Sequence, residues 1–162
     1  MGNPILREYS CMMNDVIVRQ ATTEDYRDCV GMSVDFMKMT PYSANELDYA
    51  SLGATFIRAV NDGLAFVAED DGDVCGMLIA HKVPAFFNNS VLIAQEIGWW
   101  VDDDYRDTKA GGMLLNAFES EAFKTCKYTV MSLLSTSPEQ LKGYLNYRGY
   151  VEKEHSYFKE NT

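Results

Sequence analysis

The sequence predicts an α/β layered domain on a mixed sheet. Short apolar runs rich in Val, Ile and aromatic residues alternate with longer segments of 3.6-residue periodicity. Turn clusters such as Asp70-Asp71-Gly72-Asp73 and Thr40-Pro41 punctuate them. An apolar share of 47% and an aromatic share of 12% over 162 residues suffice for a core and argue against disorder. We expect residues 1–15 to form a loosely ordered leader and residues 16–162 a single domain.

Residues 16–20, VIVRQ, read as the first strand. Thr22 and Thr23 are N-cap candidates, and Glu24 and Asp25 put acids in the first turn. A helix should follow to about residue 39, with Tyr26, Cys29, Val30, Ser33 and Met37 near one face. Thr40-Pro41-Tyr42 breaks it, and Ser43 and Glu46 have capping-box spacing. The second helix presents Leu47, Ala50, Ala54 and Ile57. Residues 64–69 and 74–83 form a hairpin, and residues 84–90 a loop carrying Phe86 and Phe87. Residues 91–101 are long enough for a central strand. The next helix places Ala110, Met113, Leu114, Ala117, Phe118 and Ala122 on one stripe. Residues 128–134 read as a strand. Ser137, Pro138 and Gln140 suit the N-cap, N1 and N3 positions of a last helix, with Gly149 as its stop. Residues 150–159 close the chain as a strand.

Bulk properties exclude several classes. A net charge of −10 disfavours nucleic-acid binding and suits a cationic partner, such as an amine or a basic segment. No apolar run reaches the ~18 residues of a membrane span. The opening MGNPILREYSCMMND lacks the basic and apolar regions of a signal peptide, and Leu6 stands where N-myristoylation needs Ser or Thr. Cys11, Cys29, Cys75 and Cys126 are widely spaced without a CxxC, as expected of free thiols in a reducing cytosol. With only His81 and His155 beside them, no metal site is expected. We therefore expect a cytoplasmic protein without membrane or nucleic-acid partners.

The most informative stretch is residues 101–118, VDDDYRDTKAGGMLLNAF. A strand, a turn rich in backbone N–H groups and a helix N-terminus together make an anion site able to hold a pyrophosphate. Arg106-Asp107-Thr108-Lys109-Ala110-Gly111, with Tyr105 before it, Leu114-Leu115 after it and the later YLNYRGY, resembles the GCN5-related N-acetyltransferase family over roughly residues 16–159. The family pattern is Gln/Arg-x-x-Gly-x-Gly/Ala. Arg106 and Gly111 match it, and Lys109 stands where the first Gly is expected. The resemblance implies a mixed, mostly antiparallel central sheet with helices on both faces, in the order β-α-α-β-β-β-α-β-α-β. It also implies acetyl-CoA as co-substrate.

By the same resemblance, backbone N–H groups of Asp107, Thr108, Lys109, Ala110, Gly111 and Gly112 would hold the coenzyme A pyrophosphate. Gly111 allows close approach. Lys109 either crowds the pyrophosphate, if its backbone needs positive φ, or swings out to pair with a phosphate. The alternative is that Arg106 and Lys109 only balance Asp102 to Asp104 on the surface. The fourth strand of the family splays from the fifth, so main-chain groups near Trp99, Trp100 and Val101 would pair with the pantetheine arm. Trp99 and Trp100 must face opposite sides of the strand.

Acetyl transfer to an amine needs a base for the amine and a proton for the departing thiolate. Glu96, in an apolar strand, is the candidate base, because desolvation would raise its pKa; the alternative is a solvated patch or a salt bridge. Gln95 has the opposite facing. Many family members carry a Tyr four residues before the terminal Gly of the last helix, a position held here by Leu145. Tyr144 is the nearer substitute acid, Tyr147 the other neighbour, and water the fallback. The first two helices, their loop and the segment of Phe86 and Phe87 should build the acceptor pocket, with Tyr42, Tyr49, Phe86, Phe87 and His155 as candidate linings.

The expected activity is transfer of an acetyl group from acetyl-CoA to an amine of a small molecule or protein, directly in a ternary complex, since no Cys sits in an activated context. Two alternatives stand beside it: a catalytically weak module of the same fold that binds an acyl-CoA or a protein, and an acidic interaction protein. Sheet edges near the last strand could pair two chains into a homodimer.

Overall fold

The computed structural model describes residues 15–42 and 44–161. The proposed leader, apart from Asp15, and Ser43 of the proposed capping box lie outside the described residues. Strands β1 (Ile17–Gln20), β2 (Ala65–Asp70), β3 (Asp73–Ala85), β4 (Asn88–Val101) and β5 (Tyr128–Val130) lie side by side in that order. The first four pair antiparallel, and β5 runs parallel to β4. Helices α1 (Tyr26–Met37) and α2 (Tyr49–Asn61) cover one face of the sheet. Helices α3 (Ala110–Thr125) and α4 (Glu139–Tyr147) lie on the other.

Both faces are buried, so β2 and β3 are apolar on both sides. Phe66, Ala68, Leu78 and Ala80 meet Leu114, Leu115 and Phe118 of α3. Ala65, Val67, Met77 and Ile79 meet Cys29, Met32, Phe56 and Ala59 of the opposite layer. The β2–β3 hairpin turns at Asp71 and Gly72, both at positive φ (51° and 89°). That is the twist-matched two-residue turn that Asp-Gly favours. Thr22 caps the first helical segment in a reciprocal capping box with Asp25, whose carboxylate also binds Arg19.

Several expectations are corrected. The α2 stripe centres on Gly53, Phe56 and Ala59, with Ile57 packed half-buried at its edge and Ala54 turned outward. The period is right but the phase is off by one residue, about 100°. Phe56 sets the phase by packing edge-on against Tyr26, 6.3 Å between centroids, while alanines of either phase look alike in sequence. The loop at residues 84–90 shrinks to a two-residue turn, Phe86-Phe87, because β3 and β4 zip almost to their ends. Residues 131–134 are not strand, because the β5 ladder stops at Gln95↔Val130. Ser137 does not cap α4: its hydroxyl accepts the Leu134 N–H at 3.0 Å, and the extended Pro138 (ψ 135°) takes the N-cap position. Residues 150–161 form no strand. They meet no ladder partner beside the three-residue β5, and Glu152 instead pairs with Lys142 and His155.

Candidate active site

The central geometry is the divergence of β4 from β5. Their parallel pairing covers Ile93, Ala94 and Gln95, after which β4 runs on to Val101 paired with β3 and open on its β5 side. Glu96 is the first residue past the ladder. Its side chain is 6% exposed, and its Oε2 accepts the backbone N–H of Ser132 at 3.2 Å. The carboxylate thus bridges the opening between the strands. Burial pushes its pKa up to about 7, against the downward pull of the Ser132 N–H. Of the two sequence alternatives, a solvated or salt-bridged Glu96 is not what the fold builds. Gln95 faces the other way, opposite His81. Ser132 escaped sequence reasoning because a parallel register carries no local signal.

Beyond Glu96, Trp99 packs with the α3 layer and Trp100 with the α1/α2 layer, on opposite faces as expected. Trp100 Nε1 donates to Asp102 at 3.0 Å, and the Arg106 guanidinium lies 4.6 Å from the Trp100 ring centre. Arg106 also donates from Nε to the Val101 carbonyl (3.0 Å) and pairs with Asp103 (2.7 Å). Arg106 therefore braces the end of β4. Tyr105 ties the same turn to the β2–β3 hairpin through Asp70 at 2.9 Å, a bond that pushes the phenol up to about 12.

The turn then enters α3. Thr108 donates its hydroxyl to the Tyr105 carbonyl (2.6 Å) and accepts the Ala110 N–H (3.2 Å). Among the described residues, the N–H groups of Asp107, Lys109, Gly111 and Gly112 have no protein acceptor. They are the orphan donors expected at a helix start, where the macrodipole adds positive potential. Lys109 has φ −73°, so its side chain costs no backbone strain, and it is exposed beside these donors. The donor set fits an anionic group such as a pyrophosphate.

Helix α4 closes this region from the other side. A Cβ placed on Gly112 would lie 3.1 Å from the Tyr144 hydroxyl, and one on Gly111 3.6 Å from the Trp99 ring. Tyr144, Gly111, Gly112 and Trp99 are thus one cluster. Arg148 donates to the Tyr144 oxygen at 3.1 Å and pairs with Glu119. Since Arg148 supplies a proton to that oxygen, the phenol hydrogen is free to be donated elsewhere. The i, i+4 spacing of Tyr144 and Arg148 was available in the sequence as a signal. Leu145 is buried in the core, and Tyr147 points to solvent.

The proposed acceptor linings do not gather. Phe86 is 99% exposed at the β3–β4 hairpin tip, stacked edge-on with Phe87. At ~3.3 Å per residue, the tip lies roughly 26 Å along β4 from Glu96. Tyr42 is exposed and packs on Phe158, 5.3 Å between centroids. Tyr49 and His155 are also exposed. The loop after α1 does reach the segment before α4, where Thr136 donates to the Met39 carbonyl at 2.8 Å.

Residues 22–146 match the model of the Acetyltransferase (GNAT) family. The chain belongs to that family, whose members are acyl-CoA-dependent N-acetyltransferases using acetyl-CoA as co-substrate. Similar solved structures include a ribosomal-protein-alanine N-acetyltransferase from Brucella melitensis biovar Abortus 2308. It is 15% identical, with a TM-score of 0.68 over 90% of this chain and 99% of that one. An aminoglycoside acetyltransferase from an uncultured soil metagenomic sample, in complex with trehalose, is also 15% identical, with a TM-score of 0.68 over 93% and 98%. A transcriptional regulator from Bacillus halodurans C-125 is 22% identical, with a TM-score of 0.66 over 91% and 99%. At these identities the likeness defines the fold and not the acceptor. No curated protein matches the chain in sequence.

Proposed function

We propose that the protein moves an acetyl group from acetyl-CoA to an amine of a small molecule or protein, by direct attack within a ternary complex in the cytoplasm. The observation that carries this reading is Glu96, a buried carboxylate raised to about 7 at the opening between β4 and β5. A base poised near neutrality is what deprotonating an amine requires. Acetyl-CoA supplies a thioester whose carbonyl carbon the amine nitrogen attacks, so that an N–C bond forms and the C–S bond breaks.

The N–H groups of Asp107, Lys109, Gly111 and Gly112 would hold the pyrophosphate, with the Lys109 side chain adding charge. Ala110 and Thr108 hold the turn that presents them, and Arg106 fixes that turn to Val101. Main chain at Trp99, Trp100 and Val101 would take the pantetheine arm. Glu96 accepts the amine proton. The Tyr144 hydroxyl, aligned by Arg148, is the candidate donor to the leaving thiolate, with water as the alternative.

Thermal stability with and without acetyl-CoA tests the reading. A ligand at a hundred times its Kd adds about 2.7 kcal/mol of stability. Wild type should show a shift that Gly111→Trp loses, because the indole would cover the open donors. No shift at millimolar acetyl-CoA sinks the proposal. A second reading, binding without turnover, rests on Leu145 standing in the core where a Tyr is common in the family. It predicts the same thermal shift with no thiol release on any amine.

A further inference from the structure

We propose that the open edge of β5 is a docking site for an extended peptide segment with acidic side chains, which lies as a further strand between β5 and the chain that follows α4. The inference goes beyond the transferase reading and does not depend on it. Strand β5 ends the sheet and pairs on one side only, with β4. Its start is anchored, because the Lys127 N–H donates to the Leu92 carbonyl at 2.8 Å just before the ladder begins. Its other edge has no ladder partner among the described residues. A row of unpaired backbone N–H and C=O groups is a template for an added strand.

The chain that could cover this edge stands back from it. Residues 148–153 face β5 across a groove of about 460 Å³, and the end of α3 forms the third wall. That volume is in the range of ligand sites. Thr129, the middle residue of β5, lines the groove. So do Phe123, 89% exposed, and Val151, 68% exposed. Apolar side chains left this open to water gain from being covered. A strand laid here has β5 on one side and the segment after α4 on the other.

Charge selects the occupant. The charged residues of the groove are Glu119, Lys127, Arg148 and Lys153. Glu119 is spent on Arg148, which also donates to Tyr144. Lys127 and Lys153 make no ion pair among the described residues. The groove is thus a cationic face on a chain of net charge −10. An acidic segment finds two uncommitted ammonium groups there, and a basic one meets repulsion. The C-terminal segment of a second copy fits less well, since its Phe158 already packs on Tyr42 and its Glu152 pairs with Lys142.

The test uses capped, fluorescent peptides with Thr at every second position and Glu and Val alternating between, so that Glu and Val share one face of an extended chain. A matched peptide carries Lys for Glu. Anisotropy on titration with the full chain should show the Glu peptide binding at least about tenfold more tightly than the Lys peptide, and more weakly as salt rises. The Lys127→Glu/Lys153→Glu protein should bind the Glu peptide about tenfold more weakly or worse, with an unchanged melting temperature. Methylating the amide nitrogens of one alternate set or the other should abolish binding, because one set faces β5. Equal affinity for the two peptides overturns the inference, as does binding that survives the double charge reversal or both methylated sets. Absence of binding to the Glu peptide overturns it as well. A dimer in sedimentation that the double variant abolishes would give the groove to a second copy and overturn the peptide assignment.

Discussion

A carboxylate that takes a proton from an amine must first lose its own, and as the proposed base Glu96 would make that step depend on pH near neutrality. Its pKa rises from 4.5 to about 7 because burial penalises the charged form. A raised folded-state value means that this group stabilises the protein fully below about 4.5. That contribution is lost as pH climbs through 7. At ~1.4 kcal/mol per unit, the loss approaches about 3 kcal/mol. Glu96→Gln removes the titration and keeps an oxygen for the Ser132 N–H. In urea melts the variant should match wild type near pH 4.5 and exceed it by up to about 3 kcal/mol at pH 8. In kinetics it should lose roughly 10²–10⁴ of kcat/KM, together with the rise through pH 7 that wild type shows. Equal stability at both pH values would show that the carboxylate is solvated. The identity of this residue was legible in the sequence as an acid inside an apolar strand. Its partner Ser132, some thirty-six positions away, was not.

At the scale of elements, helix ends place the site more than helix faces do. Helix α4 stops at Gly149, at φ +90°, where the Tyr150 N–H returns to the Leu145 carbonyl at 3.0 Å. This closure fixes Arg148 at the helix end, and Arg148 in turn holds Tyr144. Gly149→Ala places a Cβ in a left-handed conformation and should cost about 1–2 kcal/mol, read from a denaturant midpoint at unchanged slope. Unchanged stability would mean that the chain leaves the helix by another route at no cost. Glycine as a helix stop is a local rule, and the sequence shows it. The failures at this scale are those of partnership. Residues 150–159 read as a closing strand, but a strand needs a ladder, and the short β5 offers little edge. The two Phe of the hairpin tip read as a pocket loop because aromatic residues in a loop suggest a ligand, whereas strand length carries them away from Glu96.

For the molecule as a whole, one sheet separates two cores. Phe118 of α3 and Phe56 of α2 are both fully buried, on opposite sides. Phe118→Leu and Phe56→Leu should each cost ~1–2 kcal/mol. Because they share no packing partners, the double variant should lose the sum to within about 0.5 kcal/mol. A coupling well above that would mean that the sheet transmits strain between layers. The same layering gives the two sides different work. The α3 side carries the open helix start and the groove beside β5, and the α1/α2 side supplies packing around a small apolar cavity. The β4 strand runs between them, with Glu96 where it parts from β5.

The order of elements up to α4, the turn before α3, the paired aromatic facings of Trp99 and Trp100 and the glycine stop of α4 follow from the sequence alone. Each depends on residues within a few positions of one another, where periodicity, capping and turn chemistry act. Tertiary structure decided the phase of α2, the loss of the last strand, the Ser132 bond to Glu96 and the groove left open beside β5. Those depend on which distant backbone groups find each other, and on how much room is left when two layers close on one sheet. A linear pattern does not record either quantity.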